Sequence, residues 1–118
     1  IVDVILALGG GSVIDTAKAV AVCLAVPSVR LQDILLEDQK IKQALDVGVI
    51  STIAGSGSES SCSMVITIDE GNLKRACDDE QLYPVFAILD PILTFTLPYY
   101  QMVSGACDIL MHAMERSY

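Results

Sequence analysis

Short, almost continuously apolar runs recur along the chain, and small or polar residues close each of them. They cover residues 2–8, 46–52, 64–68 and 86–89. The first, second and fourth lack the regular alternation of a half-exposed strand. We therefore expect these three runs to be strands buried on both faces, as in a parallel sheet that helices cover.

Helical signals lie between and after these runs. Residues 15–22 follow a glycine-rich turn and have a helical pattern, with Ser12 as the expected N-cap and Asp15 as its capping partner. Pro27 is expected to end this helix. At the other end of the chain, Pro98 is expected to start a final helix. Strands that alternate with helices predict an α/β fold with a largely parallel sheet.

Polar segments separate the remaining elements. Residues 28–43 predict a loop and a short helix on the surface, residues 69–72 a turn, and residues 74–80 a charged connection. The chain begins in a predicted strand and stops in a predicted helix, so we expect it to be a piece of a longer polypeptide.

Composition excludes several classes of function. The 118 residues are 53% hydrophobic and 19% charged, yet no apolar run reaches the roughly 20 residues that a membrane span needs. The net charge of −8 leaves no basic patch for nucleic acid. The cysteines Cys23, Cys62, Cys77 and Cys107 form no C-x-x-C pair, which favours buried thiols in a reducing compartment.

Two glycine-rich turns follow predicted strands. Gly9, Gly10 and Gly11 precede Ser12, and residues 52–59 read Thr-Ile-Ala-Gly-Ser-Gly-Ser-Glu. A strand-to-helix turn with free N–H groups can bind a phosphate, although each turn could equally be a tight connection only. Because ligands of parallel sheets bind at the carboxyl ends of the strands, the pair favours a phosphate-bearing cofactor.

The final predicted helix carries Asp108 and the only histidine of the sequence, His112. Residues four apart project from one helix face, so the two side chains could hold one divalent metal ion. The same pair could instead form a simple side-chain hydrogen bond. A catalytic metal normally has three or more protein ligands, so further ligands would have to lie outside these residues.

Four motifs, in order, resemble the iron-containing (group III) alcohol dehydrogenases. Residues 9–18, Gly-Gly-Gly-Ser-Val-Ile-Asp-Thr-Ala-Lys, are similar to that family's cofactor turn, and residues 51–59 to its Thr-Thr-x-x-Gly-Thr-Gly-Ser-Glu loop. Residues 87–98 resemble its bridge between domains, and residues 105–115 its first metal-ligand helix. Details at residues 82–84 resemble the butanol-dehydrogenase-like branch.

The resemblance implies part of a Rossmann-like dinucleotide-binding domain, of the dehydroquinate synthase-like fold, over residues 1–97. Residues 98–118 would begin an all-helical metal domain. Asp108 and His112 would be catalytic metal ligands, with two histidines downstream completing the set. The implied cofactor-binding residues are Gly10, Gly11, Ser12, Asp15, Thr52, Ser56, Lys74, Leu93 and Leu97.

The implied function is an NAD(P)-dependent oxidoreductase that interconverts small alcohols and aldehydes or ketones by hydride transfer. Fe²⁺ is the implied metal, and Zn²⁺ would also suit the Asp and His ligands. The alternatives are a zinc-dependent dehydroquinate synthase-like or glycerol(phosphate) dehydrogenase-like enzyme, or an inactive fragment that only self-associates. We expect a cytoplasmic, homo-oligomeric parent, with a dimer as the expected state, and no activity from the 118 residues alone.

Overall fold

The computed structural model describes residues 2–37, 39–69 and 72–117, and it confirms the α/β prediction. In chain order the strands and helices are β1 (Val4–Gly9), α1 (Gly11–Ala25), α2 (Leu31–Glu37), β2 (Asp46–Ser51), β3 (Ser63–Ile68), β4 (Leu73–Asp78), β5 (Phe86–Leu89) and α3 (Tyr99–Glu115). Short 3₁₀ turns at Ser58–Ser60, Glu80–Leu82 and Pro91–Thr94 connect them.

The three apolar runs at residues 2–8, 46–52 and 86–89 form one parallel sheet in the order β1-β2-β5. Val4 pairs with Asp46 and Gly9 with Ser51, so β1 and β2 end level with each other. Parallel neighbours place their carboxyl ends at one edge of the sheet. The turns that follow β1 and β2 are therefore brought side by side.

Helix α1 lies at the centre of the described structure. It packs against β1 and β2 on one side and against β3 and α2 on the other. Its small and branched side chains supply both apolar clusters. The cluster on the sheet side is Ala7, Ile14, Ala17, Ala21, Val47 and Val49, and the cluster on the other side is Ala19, Val22, Ile34, Leu35, Ile41, Met64 and Leu82.

The prediction of strands buried on both faces is wrong for β1 and β5. Leu6 and Leu8 are more than half exposed, and all four residues of β5 are exposed. Among the described residues, α1 packs on a single face of this sheet. The central strand is better covered, because Val47 and Val49 pack in the cluster that α1 forms with the sheet and are buried.

Residues 74–80 are not simply a charged connection. Most of them belong to β4, which pairs antiparallel with β3 from Ser63 opposite Asp78 to Ile68 opposite Leu73. The strand is almost wholly exposed, so its charged side chains face solvent while its backbone forms the ladder. The predicted turn at 69–72 falls partly on Glu70 and Gly71, which lie outside the described residues.

Two further predictions need correction. The segment 28–43 contains the predicted short helix, α2, but Ile34, Leu35 and Ile41 are buried in the core rather than lying at the surface. Of the four cysteines predicted to be buried, Cys107 is exposed and Cys23, Cys62 and Cys77 are partly exposed.

The predicted start of the last helix is confirmed, since Pro98 is the N-cap residue of α3. None of the helices in the described parts of the chain combines the length and apolar character that a membrane-spanning segment needs.

Candidate active site

The first glycine turn leads directly from β1 into α1. Gly10, not Ser12, is the N-cap, and its carbonyl oxygen accepts from Val13 N at 3.0 Å and Ile14 N at 3.1 Å. Ser12 already lies inside the helix, so its predicted capping role is wrong. The N–H groups of Gly11 and Ser12 lie before these first donors, in the first turn, where N–H groups have no acceptor within the helix. Such groups can bind an anion such as a phosphate.

The second glycine turn lies directly against the first. Thr52 N donates to Gly9 O at 3.1 Å, which joins the ends of β1 and β2. Further on, Ser56 Oγ lies 2.5 Å from the position of a Cβ atom on Gly11. A residue larger than glycine at position 11 would displace Ser56. The two turns therefore lie side by side at the carboxyl ends of β1 and β2, as their positions after strands of one parallel sheet predict.

Asp108 and His112 face each other on α3. His112 Nε2 is 3.6 Å from Asp108 Oδ1, and about half of each side chain is exposed. The two atoms are close enough for one metal ion to bind to both. An oxygen and an imidazole nitrogen also form a donor set that suits Fe²⁺ or Zn²⁺.

Glu115 lies on the other side of the imidazole ring. Its Oε2 is 3.7 Å from His112 Nδ1. A carboxylate at this second nitrogen favours the orientation in which Nε2 faces Asp108. Within residues 2–37, 39–69 and 72–117, no group of three or more His, Cys, Asp or Glu side chains could hold a metal.

The second glycine turn also contacts α3. Asp108 Oδ2 lies 3.3 Å from the position of a Cβ atom on Gly55, and the carbonyl oxygen of Ala54 occupies the space that a Cβ atom on Gly105 would need. The loop of residues 54–61, hereafter the bridging loop, thus contacts the first glycine turn through Ser56 and α3 through Ala54 and Gly55. The predicted metal ligand Asp108 lies beside the predicted cofactor turns.

Asp15 lies away from the N-terminal end of α1 and beneath the bridging loop. Its Oδ1 accepts from Ser58 Oγ, and its Oδ2 accepts from Val65 N at 2.9 Å. The predicted capping interaction of Asp15 is therefore absent, since both carboxylate oxygens bind partners from other segments. Its predicted contact with a cofactor stays a prediction.

Lys74, Leu93 and Leu97 lie on other elements. Lys74 is exposed on β4, opposite Thr67 in the hairpin. Leu93 and Leu97 lie between β5 and α3, where Leu93 N donates to Asp90 O at 3.1 Å and Leu97 N to Thr94 O at 3.1 Å. Their roles at the cofactor remain predictions.

Lys18 and Ser58 are buried polar residues for which the sequence predicts no role at the site. Lys18 Nζ donates to Ser61 O and Ser63 O, each at 2.7 Å, and to Ser58 O at 2.9 Å. Burial lowers the pKa of Lys18, and the nearby Asp15 carboxylate partly opposes that shift. The position of Lys18 inside the apolar run of residues 17–22 is the one sequence feature that indicates such a role. A lysine in a buried helix must find polar partners, and these have to come from another part of the chain.

Comparison with known proteins defines the class. A profile of the iron-containing alcohol dehydrogenases matches residues 1–91. The NADH-dependent butanol dehydrogenase B of Clostridium acetobutylicum is 40% identical over 114 residues, which are 97% of this chain and 29% of that protein. The NADPH-dependent aldehyde reductase YqhD of Escherichia coli is 38% identical over 117 residues, covering 98% of this chain and 30% of that protein.

A solved structure gives the same result. The crystal structure of the NADH-dependent butanol dehydrogenase A of Thermotoga maritima superposes with a TM-score of 0.91 at 38% identity, covering 97% of this chain and 28% of that one. The chain therefore belongs to the iron-containing alcohol dehydrogenase family and has its dehydroquinate synthase-like α/β fold. It spans about three-tenths of the length of these relatives.

Proposed function

We propose that the complete protein, meaning the polypeptide that contains these 118 residues, is a metal- and NAD(P)-dependent oxidoreductase. It interconverts small alcohols and aldehydes or ketones by hydride transfer. The observation that carries the proposal is the position of Asp108 against Gly55, because the bridging loop that contains Gly55 also contacts Gly11 in the first glycine turn. The relatives, which are named for butanol or aldehyde substrates, support the same class of reaction.

The residues of this chain have separable tasks in that reaction. The N–H groups of Gly11 and Ser12 bind the pyrophosphate of the dinucleotide, and the hydroxyl groups of Thr52 and Ser56 lie along the same edge. Asp108 and His112 hold the metal, with Glu115 orienting the imidazole. When bound there, Fe²⁺ would supply the Lewis acidity that favours loss of the alcohol proton, and a nicotinamide dinucleotide would supply the hydride acceptor.

The wider organisation of the protein is part of the proposal. Residues 1–97 belong to the dinucleotide-binding domain, and α3 begins the metal domain, which supplies the remaining ligands. Fe²⁺ is the proposed metal because the family is described as iron-containing. We propose a cytoplasmic homodimer, and light scattering of the complete protein tests its oligomeric state.

The test uses the complete protein, loaded with Fe²⁺ and assayed for NADH- and NADPH-dependent reduction of butanal. Asp108→Asn and His112→Ala should both lose bound iron and lower turnover by at least about a hundredfold, while dinucleotide binding persists. Asp78→Asn is the matched control, because Asp78 is exposed at the end of β4. Retention of iron and turnover in both α3 variants would remove the metal role.

A further inference from the structure

Lys18 is a fully buried cation within an apolar helix, and the proposed chemistry does not use it. Its exposed fraction is 0%. Three main-chain carbonyl oxygens, of Ser58, Ser61 and Ser63, accept from its Nζ, and Ser58 Oγ lies at 3.3 Å. Burying an ammonium group costs free energy unless hydrogen bonds replace water, and here the bridging loop and its continuation supply the acceptors.

Asp15 holds the same segment one helical turn earlier. Its carboxylate accepts from Ser58 Oγ and from Val65 N. Ser58 is therefore bound by both side chains, its hydroxyl by Asp15 and its carbonyl by Lys18. Since side chains three apart share a helix face, α1 fixes residues 58–65 through two adjacent charged groups.

The segment held in this way is the one that joins the two halves of the candidate site. Ser56, which lies two residues before Ser58, contacts Gly11. On the other side, Ala54 contacts Gly105, and Gly55 lies beside Asp108. Gly57 intervenes with a φ of +67°, which glycine adopts with little strain. Ser58 N donates to Ser56 Oγ at 3.3 Å across it, so the position of Ser56 is linked to that of Ser58.

We propose that Lys18 is a positioning residue, which acts with Asp15 and Ser58 to hold the bridging loop between the cofactor turn and the metal-ligand helix. This inference depends on the proposed function. Lys18 is fully buried against the bridging loop and its continuation, and through these hydrogen bonds it sets where Ser56 and Gly55 lie. Loss of its hydrogen bonds lets the loop move relative to Gly11 and Asp108, and small displacements of this kind slow reactions strongly.

The experiment compares wild type, Lys18→Met and Lys42→Met in the complete, iron-loaded protein. Lys42 is exposed before β2, so its variant controls for the loss of one positive charge. Lys18→Met should raise the KM for the dinucleotide and lower kcat, each by about tenfold, at temperatures well below its unfolding midpoint. Iron content and the far-ultraviolet circular dichroism should match those of the wild type.

Ser58→Ala provides a second, milder test, in case Lys18→Met does not fold. It removes the hydroxyl donor to Asp15 and keeps the ammonium group. We expect a severalfold rise in the KM for the dinucleotide, together with faster amide hydrogen exchange in residues 54–61 but not in α1. Replacement by Thr, which restores the hydroxyl, should recover most of the loss.

The outcomes separate the two proposals. A wild-type protein that neither binds a dinucleotide nor turns over would overturn the proposed function. An active wild type whose Lys18→Met and Ser58→Ala variants have only a lower unfolding temperature, with unchanged KM and kcat, would show that these residues are merely structural. That result would overturn the positioning role and leave the proposed function standing.

Discussion

The carbonyl oxygen of Ala54 occupies the space that a Cβ atom on Gly105 would need. The obstacle is backbone, so it cannot turn aside as a flexible side chain would. The close approach of α3 to the bridging loop therefore requires glycine at position 105. This approach brings Asp108, one helical turn further on, to Gly55.

Gly105→Ala separates two opposing effects. Helix propensity alone predicts that alanine stabilises α3 by about 1 kcal/mol, whereas crowding predicts a cost of about 1–3 kcal/mol. We expect crowding to dominate, with a lower unfolding temperature and weaker iron binding in the complete protein. Differential scanning calorimetry and metal analysis measure both. A more stable variant with normal iron content would contradict the close contact.

Glu115 is expected to orient His112 without binding the metal itself. Glu115→Gln should keep iron bound but weaken its affinity by about tenfold, because the imidazole loses its carboxylate partner. Competition with a chelator measures this affinity, and Glu80→Gln serves as the control. A loss as complete as that of Asp108→Asn would make Glu115 a ligand, and an unchanged affinity would leave it no role.

Gly48 lies beneath the ring of Phe86, and a Cβ atom at position 48 would overlap that ring. Gly48→Ala should therefore destabilise the complete protein by about 1–3 kcal/mol. In a Phe86→Ala background the cost should fall, giving a coupling of at least about 0.5 kcal/mol in a double-mutant cycle followed by denaturant unfolding. Additive effects of the two substitutions would contradict this packing.

Lys18 should give a pH-dependent contribution to stability. Burial lowers its pKa from 10.5, with Asp15, Cys62 and Glu59 opposing the shift. Between the folded and unfolded pKa values the unfolded chain binds more protons, so the contribution of Lys18 to the free energy of unfolding rises with pH there. Below the folded pKa this contribution is constant and at its least favourable.

Denaturant unfolding of wild type and Lys18→Met at several pH values, from 7 to near the ordinary lysine pKa of 10.5, tests the sign of this pH dependence. The difference between the two proteins should move in favour of the wild type as the pH rises. Lys42→Met, at an exposed position, should give a difference that does not change with pH. A difference for Lys18→Met that is equally flat would show that burial does not shift its pKa.

Much of the fold could be predicted because its signals are local. Apolar runs bounded by glycine or proline predicted all three strands of the parallel sheet, and Pro98 predicted the start of α3. The strand β4 was missed because an exposed edge strand with charged side chains resembles a polar connection. This segment is a strand because its backbone pairs with β3, and the side chains of residues 73–78 do not indicate that pairing.

The sequence by itself determined the α/β class, the two glycine turns that follow predicted strands, and the helical spacing of Asp108 and His112. Only the tertiary structure decided what the polar groups of α1 do. Asp15 and Lys18 read locally as a cap partner and an ordinary helix residue, but their partners lie 40 or more residues away, at Ser58 and beyond. Such partners are chosen by the packing of α1 against β3 and the bridging loop, because a buried charge must be satisfied by whichever polar groups the fold brings to it.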